Sequence, residues 1–194
     1  PGCRSKQGKF LDLPKILGVA MILLWRDDGF VEASVTNYLD LCQLGFKANL
    51  AQPVPRPFPQ STLVVENRID PPDFFHAVNL FIVSDRLREL IMGFNPRAEF
   101  LPLSTEVQGN IYAKQGFFLV NILDAVPCLD YESSEYEQTE TGVTGIERLV
   151  LDESKAIGHH LFLVGPISWA ADRNPKSIAG IIECASEELA RAVI

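Results

Sequence analysis

Apolar positions in this chain fall in short runs, broken every few residues by proline, glycine or charge, which is the pattern of a strand-rich protein. Gly18 to Trp25 is apolar without a break, as expected for a strand covered on both faces. Asp27-Asp28-Gly29 would turn it into a returning strand from Phe30 to Val35. Asn37 to Leu44, stopped by Gly45, suits a short helix. From Gln52 to Gln60 the chain reads QPVPRPFPQ; its prolines fix φ and remove donors, so an extended loop is expected there. Ser61 to Glu66 then predicts a strand, and Pro71-Pro72 interrupts the chain again.

A strand at Leu80 to Val83 leads into Ser84, a good helix cap, with Asp85 where the helix dipole favours an anion. Leu87, Leu90, Ile91 and Phe94 then form one apolar stripe, which Pro96 ends before a strand at Glu99 to Leu103. Asn110 to Ala113 and Phe117 to Leu123 flank Lys114-Gln115-Gly116, which reads as a hairpin. A polar, acidic segment then runs to Gly145, followed by strands at Glu147 to Leu151, Leu161 to Val164 and Ile181 to Cys184. The final helix from Ser186 repeats the earlier unit: strand, serine, acidic first turn, then leucine at the same offset (Leu87, Leu189). General capping physics explains that likeness as readily as a duplication. Its apolar positions run to Ile194, so further sequence is expected beyond that residue.

Strands outnumber helices and tight turns are frequent, so the fold class is α+β: a mixed or antiparallel sheet with a few short helices and a single main domain. The Pro-rich loop is the candidate boundary between residues 1–60, a variable N-terminal part, and the main domain at 61–194. The chain has 194 residues, 47% of them hydrophobic, enough for a substantial core. Its four cysteines are far apart and form no CxxC pair, which favours reduced thiols and a cytoplasmic location over a disulfide framework. The longest apolar run, Ile16 to Trp25, falls well short of the ~20 residues of a membrane helix, so no membrane association is expected. A formal net charge of −8 repels phosphate backbones and anionic lipid, and it favours a cationic partner over nucleic acid.

Motifs for chemistry are missing: no glycine-rich phosphate loop, no HExxH and no GxSxG elbow. His159 and His160 would point in opposite directions on a strand, with no third ligand in pattern, so neither a metal nor another cofactor is expected. Cys128, between Pro127 and Leu129, reads as a core thiol, and Asp124 and Asp130 as strand-end punctuation. No catalytic residue is assigned. The remaining candidate is the run Asp130, Tyr131, Glu132, Glu135, Tyr136, Glu137 and Glu140, which meets no lysine or arginine before Arg148. A solvated loop would carry such charges, and so would a docking surface for a basic partner with tyrosine anchors.

The ordered blocks FIVSDRLRELI (Phe81–Ile91), EFLPL (Glu99–Leu103), FFLVNILDAVPCLDYESSEY (Phe117–Tyr136), IERLVLDESKAIGHHLFLV (Ile146–Val164) and CASEELARAVI (Cys184–Ile194) carry a resemblance. Together with Pro72-Asp73-Phe74 they resemble the immunity-protein family of bacterial polymorphic-toxin systems, over roughly Pro72 to Ile194. The resemblance implies a cytoplasmic, non-enzymatic inhibitor that binds a cognate protein toxin domain, and it names no catalytic residue. An enzyme that reverses the toxin's modification, or a binding module with no toxin partner, remain the alternatives.

Overall fold

A computed structural model describes residues 22–24, 31–37, 51–67, 69–77, 80–140, 142–165 and 183–193. The described strands are β1 (Ile22–Leu24), β2 (Ala33–Val35), β3 (Thr62–Val65), β4 (Phe74–Ala77), β5 (Leu80–Ser84), β6 (Ala98–Val107), β7 (Asn110–Ile111), β8 (Phe117–Ile122), β9 (Ala125–Val126), β10 (Glu135–Thr139), β11 (Gly142–Arg148), β12 (Leu161–Val164) and β13 (Glu183–Ser186). Two helices, α1 (Asp85–Met92) and α2 (Glu187–Val193), and one 3-10 turn (Glu153–Ala156) complete them.

A large sheet in the order β2-β3-β6-β8-β5-β4, with β7 on the end of β6, lies against a smaller one in the order β1-β13-β12-β9. The β3–β6 and β9–β12 pairs are parallel and the others antiparallel, so both sheets are mixed and the α+β expectation holds. Period-two alternation sorts the large sheet's apolar residues onto two faces. Leu80 and Ile82 of β5 join Leu63, Leu101, Phe117 and Leu119 on one face. Phe81 and Val83 join Val120 and Ile122 on the other, where Leu87 and Ile91 of α1 and Leu161, Leu163, Ala185 and Leu189 of the smaller sheet and α2 cover them. The far side of the smaller sheet buries Phe162, Val164, Cys184, Val126 and Cys128.

The likeness between the two capped helices is structural. Ser84 Oγ accepts from Leu87 N, and Ser186 Oγ accepts from Leu189 N, each at 3.2 Å. Ser84 N donates to Asp73 O at 2.8 Å, and Ser186 N donates to His160 O at 3.0 Å. Each serine therefore bonds the residue just before the neighbouring antiparallel strand. The registers also correspond, since Ser84 faces Phe117 on β8 and Ser186 faces Ile22 on β1. Two three-stranded units, β8-β5-β4 with α1 and β1-β13-β12 with α2, thus close on one shared apolar layer.

Several expectations need correction. β1 pairs with β13 and β2 with β3, so the stretch from Phe30 to Val35 does not return along the first strand. Asn110-Ile111 pairs with β6 and not with β8; the tight turn is Gln108-Gly109, where both residues have positive φ (51° and 75°), as a two-residue hairpin turn demands. Gly116 serves close approach instead: its N donates to Asp85 Oδ2 at 2.7 Å, and a Cβ there would sit 2.5 Å from that oxygen. β6 runs to Val107, well past Leu103, and the last strand is Glu183–Ser186, two residues later than the apolar run suggested. The helix expected at Asn37 to Leu44 lies outside the described residues but for Asn37, a turn residue with φ 63°. The Pro-rich segment is irregular as expected, but it is docked: Val54 is buried in the core, its N donates to Glu99 Oε2 at 2.8 Å, and Asn121 Nδ2 donates to Gln52 O at 2.8 Å.

Leu189→Ala should destabilise the protein by ~2–5 kcal/mol, because it empties a fully buried site between the units. Ser186→Ala should cost ~0.5–2 kcal/mol as a lost cap. Urea unfolding at neutral pH checks both, and unchanged midpoints would refute the packing of α2.

Asp73 supplies a second prediction. Burial opposes its ionisation, but hydrogen bonds from Arg86 and Ser84 outweigh that and hold its carboxyl below the ordinary range. A carboxyl with a folded-state pKa below its unfolded value stabilises above the unfolded value, near ~3.9, and loses that contribution as pH falls through the folded value. The stability gap between wild type and Asp73→Asn should therefore be widest above pH ~5 and narrow below pH ~4. Urea midpoints across pH 3 to 7 measure it, and a gap that widens in acid would overturn the assignment.

Candidate functional site

The acidic segment singled out by its charge is a built element and not an irregular loop. β10 and β11 form a two-stranded antiparallel ribbon separate from both sheets, with register shifts next to Tyr136 and Gln138. Its base is closed by hydrogen bonds: Asp130 Oδ1 accepts from Glu132 N at 3.0 Å and Ser133 N at 3.1 Å, while Ser134 Oγ donates to Val150 O and accepts from Val150 N. Leu129 bridges to Leu151, and Ile146 leans on the third apolar cluster. Hydrogen bonding by Ser133 and Glu132 holds the Asp130 carboxyl below its ordinary range, so Asp130 acts here as a turn-former.

The remaining candidates divide by their partners. Glu135 pairs with Arg148 across the ribbon at 2.8 Å. Glu132, Glu137 and Glu140 are exposed, and among the described residues no cation lies against their carboxylates. Tyr131, 43% exposed, meets the half-buried Tyr136 edge to face with ring centroids 5.6 Å apart. The segment thus groups the seven predicted residues on one ribbon and its base. Glu147, on β11 beside Arg148, adds an acid that the run of residues alone did not include.

Elsewhere among the described residues, three polar clusters each contain a histidine and a carboxylate. Asp124, buried after β8, lies 2.5 Å from His159 Nδ1 and 3.8 Å from Arg97 Nη1. This pins the turn before β12 to the start of β6. His160 meets Ser186 Oγ (2.9 Å) and Glu188 Oε2 (3.5 Å) through the same ring nitrogen, whereas a serine-activating triad uses both nitrogens. The two histidines lie just ahead of β12 rather than on a strand, and they have different partners, Asp124 for His159 and Ser186 and Glu188 for His160. Buried Glu183 contacts His76 Nε2 at 3.0 Å, joining β13 to the edge strand β4. Burial pushes the Cys128 thiol up to about 11 and Cys184 well above its ordinary value, which disfavours a thiolate nucleophile at either. Among the described residues no three His, Cys, Asp or Glu side chains converge as a metal site, and no helix is long and apolar enough to cross a membrane.

No curated protein matches the chain. The model of the immunity protein family (Imm11) matches residues 42–166, more than half of the chain, beginning upstream of the Pro-rich segment. The match spans the strands of the large sheet from β3 to β8, the acidic ribbon and β12, and on that extent the chain belongs to the Imm11 immunity protein family.

Proposed function

We propose that this protein neutralises a cognate toxin domain by stoichiometric, non-catalytic binding in the cytoplasm, and that the acidic ribbon steers a basic surface of that toxin into contact. Family membership supports the toxin-neutralising part of the reading. The observation that carries the rest is the ribbon itself: carboxylates at Glu132, Glu137 and Glu140 with no cation against them among the described residues, beside an exposed tyrosine, on a chain of net charge −8. These charges stand on the backbone of an ordered ribbon and its turns, so a partner's lysines or arginines would meet them without a folding cost. Tyr131 and Tyr136 supply contact area at low entropy cost, as interface tyrosines do.

Opposed fields mainly accelerate encounter, so the test is kinetic. Replacing Glu135, Glu137 and Glu140 together by Gln should slow association with the cognate toxin ~10-fold at low salt, with a smaller effect on dissociation. The difference should shrink as ionic strength passes ~0.15 M, where screening acts within about 8 Å. Stopped-flow mixing over a salt series measures this. A folded triple variant with unchanged rates would leave the ribbon as a solvated surface.

The non-catalytic half has its own test. Single substitutions His159→Ala, His160→Ala, Asp124→Asn and Cys128→Ala are expected to leave protection of toxin-expressing cells intact wherever the variant folds. Loss of protection in a folded variant that binds toxin normally would sink the inhibitor reading in favour of an enzyme.

A further inference from the structure

Among the described residues every lysine and arginine except one has a carboxylate within 4.0 Å. The exception is Arg88, in the middle of α1. Its guanidinium lies over the ring of Phe118 on β8, with the central carbon 4.7 Å from the centroid, and 5.8 Å from that of Phe100 on β6. Its Nε is buried without a hydrogen-bond partner. Helix spacing offers Asp85 one turn earlier as a partner, but that carboxylate is committed to Gly116 N. In a protein where acids outnumber bases by 25 to 17, an arginine left unpaired on two aromatic faces calls for a ligand.

The surroundings say which kind. Met92, one turn along α1, is 47% exposed, Phe100 and Phe118 are half-buried, and Pro102, opposite Phe118 in register, is exposed. One fixed cation on an apolar surface matches one anionic group flanked by apolar atoms. A nucleic acid would bring a run of phosphates against a single arginine and a net charge of −8, a combination that repels it. A carboxylate suits the planar guanidinium, whose stacking fixes its orientation before the ligand arrives.

We propose that Arg88, Phe100 and Phe118 form a binding site for a carboxylate carried on an apolar stretch of a protein partner. The identity of that partner as the toxin rests on the inhibitor reading; the ligand chemistry of the site does not. The site is separate from the acidic ribbon and has the opposite charge.

The test uses the full chain and two probe peptides, acetyl-Phe-Glu-Leu-amide and its Gln counterpart, followed by NMR at the Arg88 side chain and the two Phe rings. The Glu peptide should give saturable shifts there, and the Gln peptide should bind at least ~10-fold more weakly, as expected when a charge-assisted hydrogen bond is lost. Arg88→Met, which keeps the apolar cover, should bind both peptides equally weakly, and Arg88→Lys should fall between. Equal binding of the two peptides to the unaltered chain would overturn the proposal, as would discrimination retained by Arg88→Met or the absence of any saturable shift. Inorganic phosphate or a single-stranded oligonucleotide binding there as tightly as the Glu peptide would also overturn it. If Arg88→Met does not fold, the two-peptide comparison on the unaltered chain decides. The chain carrying Gln at 135, 137 and 140 should bind the Glu peptide unchanged, so failure of the ribbon reading and failure of this one are separable.

Discussion

The fold depends on one apolar layer, in which Phe81, Val83, Leu87 and Ile91 meet Leu161, Leu163, Ala185 and Leu189. Neither unit can bury its face alone. β5 is buried along its whole length because both faces of the large sheet are apolar: on the other face Leu80 and Ile82 lie with Leu63, Leu101, Phe117 and Leu119, and Val54 and Phe58 of the Pro-rich segment pack there. The serine caps matter because they set where each helix leaves its strand, and so whether Leu87 and Leu189 reach the shared layer. The polar links at its margins, His76 with Glu183 and Asp124 with His159, are placed where a strand of one sheet ends near the other. They add registration to an assembly that apolar burial drives.

How much of this was legible follows from the range over which each signal acts. The β5–Ser84–α1 unit was readable because strand, cap and stripe all lie within a dozen residues and agree with one another. The partner of a strand is a different matter. Nothing local in Ile22–Leu24 says that it lies beside residues 184–186, and β1 looked like half of a hairpin because a turn signal followed it. Lys114-Gln115-Gly116 misled for a similar reason. Its glycine answers to the Asp85 carboxylate, a contact across 31 positions, while the true turn at Gln108-Gly109 lacks the usual asparagine or aspartate. In the acidic segment charge was visible and structure was not, because β10 has no apolar alternation: its residues are exposed except Tyr136. Arg88 gave no signal at all, since an arginine on a helix is ordinary until its neighbours are known to be spoken for.

Several of the acids are used internally. Asp73 holds Ser84 and Arg86, Asp85 holds Gly116, Asp70 holds Tyr112 and Lys114, and Glu99 holds Val54 and Asn121. These carboxylates fix loops and strand ends, and Asp73, Asp70 and Glu99 each have a cation beside them. Tyr112, pushed up to about 12 by its burial and by its bond to Asp70, belongs with them as a neutral donor at neutral pH. Net charge therefore overstates the uniformity of the surface. Among the described residues, exposed carboxylates with no cation against them stand on the ribbon and also at Glu66, Glu89 and Glu106, whereas Arg88 is the one lysine or arginine without a carboxylate.

That separation of charge has consequences for binding a protein. A ribbon of exposed carboxylates acts at distances comparable to the screening length, so it shapes the approach of a partner and contributes little once the pair is formed. A stacked arginine on an apolar surface acts only at contact, where the rings exclude water and the charge is worth more than in the open. An inhibitor that must find its target quickly and hold it needs both kinds of interaction, and neither can be exchanged for the other. If the ribbon alone bound the partner, salt would release it; if Arg88 alone did, encounter would proceed at the unassisted rate. On the proposed reading, a toxin surface that fits both would be basic in one region and carry a carboxylate among apolar residues in another. Two opposite requirements at separate points select a partner more narrowly than a larger patch of a single sign would, because a like-charged mismatch at either point costs more than it returns.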